Sequence, residues 1–173
     1  MSVMPRGFTL PELLIAMALA SLIGLGVARV LPGLYLATLN EVQRQWQQED
    51  LWRLAFTLGK AIQRAGYCQR QCSGPGLWLA EQGRCLRVQW QGSDVQGFRL
   101  RNDSLETLSG AADCAGSHWE KMTEPGRLKI VDFQVRRVVR SELAPLWVVE
   151  ITGQAAGPGE PFVARYAVSG FNL

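Results

Sequence analysis

The residue whose type and setting first ask for a chemical explanation is Glu12, the only charged side chain in an otherwise apolar run from Phe8 to Ala28. A carboxylate at the centre of a bilayer costs roughly 2.5 kcal/mol or more, so a specific partner is expected for it. Four cysteines, Cys68, Cys72, Cys85 and Cys114, form the second chemical set. An even number, all beyond the apolar run, reads as a disulfide framework of an oxidising compartment, with three pairings open. The rival is zinc on four thiolates, with which Cys68-x-x-x-Cys72 is compatible. His118 is the single histidine, so catalytic triads, two-histidine metal sites and H-E-x-x-H chemistry are missing or under-supplied, and no enzyme is expected. Asp94, Asp103, Glu106 and Asp113 lack the D-x-[DN]-x-[DN]-G spacing of a calcium loop, so neither metal nor other cofactor is expected. Arg136, Arg137 and Arg140 form a small basic group that a strand with one wet face explains. The net charge of +3 and pI near 8.8 are too mild to argue for a nucleic-acid groove.

The elements that must position these groups begin with the apolar run. About 20 residues at ~1.5 Å rise cross the ~30 Å core of a bilayer as a helix, and the run is that long. Arg6 on its short polar flank places the N-terminus in the cytoplasm by the positive-inside rule, which puts the remainder outside and favours disulfides over zinc. A cleaved secretory signal is the plainer alternative, with Ala18-Leu19-Ala20 as its small-residue site. Against it, apolar sequence continues through Leu22, Ile23, Leu25, Val27, Val30, Leu31 and Leu34, which would leave a sticky new terminus, and Glu12 would have no purpose.

The stretch Gly7-Phe8-Thr9-Leu10-Pro11-Glu12, followed by Leu13-Leu14-Ile15-Ala16, resembles the signature of the type IV prepilin and pseudopilin superfamily. The resemblance implies a leader, residues 1–7, that prepilin peptidase removes between Gly7 and Phe8, with methylation of the new amine on Phe8. It also implies a role in assembly for Glu12, which can pair with the ammonium of a neighbouring subunit where an unpaired charge would be expensive. Pro11 falls in the first turn, where a missing N–H costs little. Less specifically, Gln63-Arg64-Ala65-Gly66-Tyr67-Cys68 with Cys72, and the closing Ser169-Gly170-Phe171-Asn172-Leu173, look like enterobacterial minor pilins similar to the J pseudopilins of type II secretion. Such proteins are implied to prime or cap a type IV pilus or a secretion pseudopilus. Their implied partners are prepilin peptidase, other minor pilins, the major pilin and the inner membrane. A periplasmic binding or scaffold domain on an ordinary signal anchor is the alternative.

Beyond the span, residues 8–31, the pattern turns amphipathic over 32–65: Leu39, Val42, Trp46, Leu54, Leu58, Ile62 and Ala65 recur near helical spacing. Pro32-Gly33 is a kink site and Gly66 a helix stop. Trp46, Trp52 and Phe56 read as core. Residues 66–173 read as a periplasmic head of short strands: Leu77 to Ala80, Cys85 to Trp90, Gly97 to Arg101, Leu105 to Leu108, Leu128 to Val139, Leu146 to Thr152 and Phe162 to Val168. Asn102-Asp103 is a hairpin turn, and Cys114 and His118 fall in loops. The expected fold is α+β and pilin-like, one long N-terminal helix packed by its C-terminal half on an antiparallel sheet.

Overall fold

The structure, a computed structural model, describes residues 7, 9–69, 74–111, 113–155, 160–170 and 173. Phe8 and Cys72, both singled out by sequence, lie outside the described residues. The chain divides into two compact units, Met1–Gln43 and Arg44–Leu173, and one helix, α1 (Leu10–Arg64), runs through the boundary.

In the first unit the apolar side chains of α1 are exposed, among them Leu14, Ile15, Leu22, Ile23, Leu25, Leu31 and Leu34. A helix that is apolar all round and uncovered is one whose solvent is lipid. Its hydroxyls are satisfied within the helix, Ser21 Oγ donating to the Ala18 carbonyl at 2.8 Å and Thr38 Oγ1 to that of Leu34 at 2.9 Å, as a hydrocarbon setting requires. At Pro32-Gly33, where the sequence suggests a kink, the backbone stays helical.

In the second unit, Leu51, Leu54, Ala55, Leu58, Ala61, Ile62 and Ala65 are buried. At 100° per residue these positions share one stripe of the helix. Trp52 and Phe56 each follow a stripe residue by one, a turn of about 100° that takes them off it, and Trp46 falls about 120° from its middle on the other side. The three aromatics are therefore not core, contrary to the sequence reading: Trp46 is 64% exposed, Trp52 49% and Phe56 48%. Phe56 instead flanks the interface, edge-on to Tyr166 at 5.7 Å, with Lys60 over its ring at 5.2 Å. Gly59 permits the close approach, since a Cβ there would run into the Tyr166 ring. The helix ends as its sequence suggests. Gly66 takes φ of 74°, open to glycine without a Cβ penalty, and its N–H donates to the Gln89 carbonyl at 2.8 Å.

The strands are all antiparallel but form two sheets rather than the single one expected. The first has β1 (Leu77–Ala80), β2 (Cys85–Trp90), β3 (Asp94–Arg101), β4 (Ser104–Ser109) and β5 (Glu120–Lys121), in that spatial order. The second has β6 (Leu128–Arg140), β7 (Leu143–Ala155) and β8 (Phe162–Ser169). Strand β5, two charged residues long, carries no alternation and is illegible in the sequence. Asn102 and Asp103 take φ of 50° and 58°, the left-handed pair that a two-residue hairpin turn demands. Both sheets meet α1 in one core, with Phe98, Leu86, Val88 and Leu105 from the first and Ile130, Phe133, Val135, Val149 and Ile151 from the second.

Candidate functional site

The N-terminal site starts from two side chains three residues apart. The Thr9 carbonyl accepts the N–H of Leu13 at 3.1 Å, the first bond of α1, while Thr9 itself lies outside the helix. Thr9 is thus the capping residue, Leu10 and Pro11 open the first turn, and Glu12 is the third helical position. Glu12 Oε2 reaches back to within 3.5 Å of both the N–H and the hydroxyl of Thr9. This is the returning arm of a capping box, the arrangement that T-x-x-E encodes. Thr9-Leu10-Pro11-Glu12 carries that signal in plain sequence, where the lone carboxylate overshadows it. A negative group in the first turn also faces the positive end of the helix dipole. Gly7, exposed and non-helical, stands two residues upstream of the cap.

The cysteines organise the head. Cys85 and Cys114 are joined by a disulfide that closes 29 residues of chain. Cys68 is disulfide-bonded as well. Among the described residues no cysteine is free and no cluster of ligating side chains could hold a metal ion.

Around that disulfide lies an arrangement that sequence reasoning missed. Register places Cys85 opposite Arg99, Arg99 opposite Glu106 and Glu106 opposite Lys121, one row across the sheet face turned away from α1. On a small head that face would ordinarily be wet. Here Ala111 and the 113–119 segment cover it as a strap: Ala111 and Trp119 lie over Gly97, where a Cβ would approach both within 2.7 Å. Arg99, only 6% exposed, holds the strap from beneath. Its Nε donates to Glu106 Oε2 at 2.8 Å, its Nη1 to the Cys114 carbonyl at 2.8 Å, and its guanidinium stacks on Trp119 at 4.2 Å. A buried charge is tolerated only with such full pairing. The pair is readable in principle, because a two-residue turn at Asn102-Asp103 sets Arg99 opposite Glu106. What is not readable is that a loop covers them.

The basic group at Arg136, Arg137 and Arg140 gains no anion site. Arg136 and Arg137 are exposed, Arg137 resting over Trp147 at 5.9 Å, and Arg140 bonds the Ala144 carbonyl across its own hairpin at 2.8 Å.

Comparison with known proteins bears on both halves. Residues 4–28 match the prokaryotic N-terminal methylation motif, and residues 40–168 match the family described as prepilin peptidase-dependent protein B. The chain belongs to the prepilin peptidase-dependent protein B family. It is similar to prepilin peptidase-dependent protein B of Escherichia coli K12, with 41% identity over 189 aligned positions that cover 100% of both chains. No solved structure matches. The family match covers nearly all of the head, and the methylation motif contains Gly7, Thr9 and Glu12. With its long apolar helix followed by antiparallel strands, this member of the family has a pilin-like α+β fold.

Proposed function

We propose that this chain is a minor pilin or pseudopilin, cut between Gly7 and Phe8 by prepilin peptidase, methylated on the new Phe8 amine, and used to prime or cap a type IV pilus or a type II secretion pseudopilus. The observation that carries this reading is Glu12. A lone carboxylate sits in the first turn of a helix whose following side chains are apolar and uncovered, immediately after the glycine junction. In lipid, its described polar neighbours are the N–H and hydroxyl of its own Thr9, neither of which neutralises it. A neighbour's N-terminal ammonium does, and that exchange gives assembly a register. Arg6 favours a cytoplasmic leader and a periplasmic head by the positive-inside rule, with the filament tip as the proposed later location. The oxidising side of the membrane also suits the Cys85–Cys114 disulfide and the bonded state of Cys68, and thiol counting on denatured protein is expected to find no reactive cysteine.

The deciding experiment is intact mass and N-terminal sequencing of protein extracted from membranes that contain the peptidase. A methylated phenylalanine at position 8 is expected, and Gly7→Val is expected to accumulate as precursor. A mature terminus at Ser21 would instead establish signal-peptidase cleavage and remove the pilin reading.

A further inference from the structure

Two clefts that share Thr57 run along the flank of α1 that meets the first sheet and the segment after β5. The first, of about 310 Å³, is balanced within itself, Asp50 and Glu124 against Arg53 and Arg127. The second, of about 220 Å³, is not. Buried Ala61 forms its floor, Phe56 and Trp90 give it aromatic walls, and Lys60 and Arg64 are its charges among the described residues. Neither cation has an ion pair among those residues, whereas Arg53 on the same helix takes Glu49 at 2.7 Å. Lys60 and Arg64 stand one helical turn apart, where like charges repel. The end of the helix dipole favours Arg64 in the last turn, and the Phe56 ring lies 5.2 Å from the Lys60 ammonium, but neither supplies a full counter-charge.

We infer that this second cleft docks an acidic side chain, with an apolar neighbour beside it, from a segment of a partner polypeptide. A carboxylate between Lys60 and Arg64 relieves their repulsion, and the arginine fork can hold it through two N–H groups at once. The apolar neighbour covers Phe56 and Trp90, and a rim of aromatic rings with an arginine is what protein interfaces concentrate. At this volume the cleft admits a side chain or two rather than a cofactor-sized molecule. Two cations are too few to follow a nucleic-acid backbone. The inference rests on reading the chain as an assembly subunit, which puts partner polypeptides beside it.

The test is photo-crosslinking of the full chain, carrying p-benzoylphenylalanine in place of Phe56, in membranes of cells that make the other minor pilins, with the linked peptide sequenced by mass spectrometry. The expected adduct is a segment of a second polypeptide with an aspartate or glutamate beside the linked position. Two exposed charge pairs of ordinary strength correspond together to about a tenfold change in binding, so Lys60→Gln/Arg64→Gln is expected to lower the yield about tenfold. Glutamine keeps the helix propensity of both positions, and the head should unfold at the wild-type midpoint. Lys129→Gln/Arg136→Gln removes the same net charge from exposed positions elsewhere and should leave the yield unchanged. Lys60→Glu/Arg64→Glu should abolish the adduct, and lysine in place of the partner's acid should restore it. A linked segment without an acid, a yield indifferent to Lys60 and Arg64, an adduct with lipid alone, or no adduct would overturn the inference. The two readings fail apart: a mature terminus at Ser21 in the same preparation removes the assembly reading, whereas a chain processed at Gly7 with no acidic adduct removes only the cleft.

Discussion

Removing the Cys85–Cys114 bond by the double substitution Cys85→Ala/Cys114→Ser should cost stability without changing the native head. The bond closes 29 residues of chain, and loop-closure entropy for that length corresponds to about 3.6 kcal/mol. In the native state the strap keeps its other holds, the Arg99 hydrogen bond to the Cys114 carbonyl and the Arg99–Trp119 stack. The effect therefore acts chiefly through the unfolded chain, which gains freedom. The assay is urea unfolding of the full-length protein in detergent, followed by tryptophan fluorescence and near-ultraviolet circular dichroism. A midpoint loss equivalent to ~3 to 4 kcal/mol is expected, with a Tm about 10 to 15 °C lower for a head of this size. The m-value should rise, because an unfolded chain without the cross-link exposes more surface. A loss below ~1 kcal/mol with unchanged m would refute the loop-closure reasoning. Collapse of the near-ultraviolet spectrum before any urea is added would show that the strap depends on the bond in the native state, and that Arg99 does not suffice.

Arg99→Met strands the Glu106 carboxylate beneath the strap and is expected to cost about 3 to 5 kcal/mol, with Arg99→Met/Glu106→Leu recovering most of it; equal losses for the single and double variants would contradict that. Gly59→Val puts a side chain into the Tyr166 ring and should destabilise by roughly 1 to 3 kcal/mol in the same unfolding assay, whereas an unchanged midpoint would mean that the helix does not lie so close to β8. Glu12→Gln keeps the returning arm of the cap but removes the charge. The leader should still be removed, while co-purification with other minor pilins and filament number per cell fall; undiminished co-purification would end the register-setting role of Glu12.

Much of the head is legible in the sequence because its strands obey local rules. Strands β1 and β2 begin and end where their apolar alternation does, and β3 and β4 are joined at Asn102-Asp103, residues suited to a turn with two positive φ angles. The extensions of β6 and β7 past their expected ends are not legible. At their shared turn the ribbon continues by backbone pairing through Arg140 and Leu143, and no alternation is needed there because these residues lie outside the core. The division into two sheets is hidden for a related reason, since Phe98 and Phe133 each satisfy the same inward pattern whichever sheet their strands join. The three helix aromatics fail on phase: near-helical recurrence identifies a stripe, but one residue of offset moves Trp52 and Phe56 to its flank.

The candidate sites divide along the same line between local and non-local information. Everything that the N-terminal site needs lies within six residues, so Gly7, Thr9, Pro11 and Glu12 can be read as a unit: a permissive residue, a cap, a first-turn proline and a carboxylate that both closes the cap and carries the charge. The head's cysteines offer no such shortcut, and three pairings stand equal until the fold brings β2 beside the strap. Cys85 and Cys114 meet because Arg99, on the strand next to Cys85, draws the Cys114 carbonyl down onto the sheet. A buried arginine in the middle of a strand conflicts with the wet-face pattern around it, and the conflict is resolved only by a covering segment with carbonyls and an aromatic ring to offer. The 113–119 strap supplies both, through the Cys114 carbonyl and Trp119, so the arginine and the disulfide hold the same loop from two sides and neither is intelligible without it.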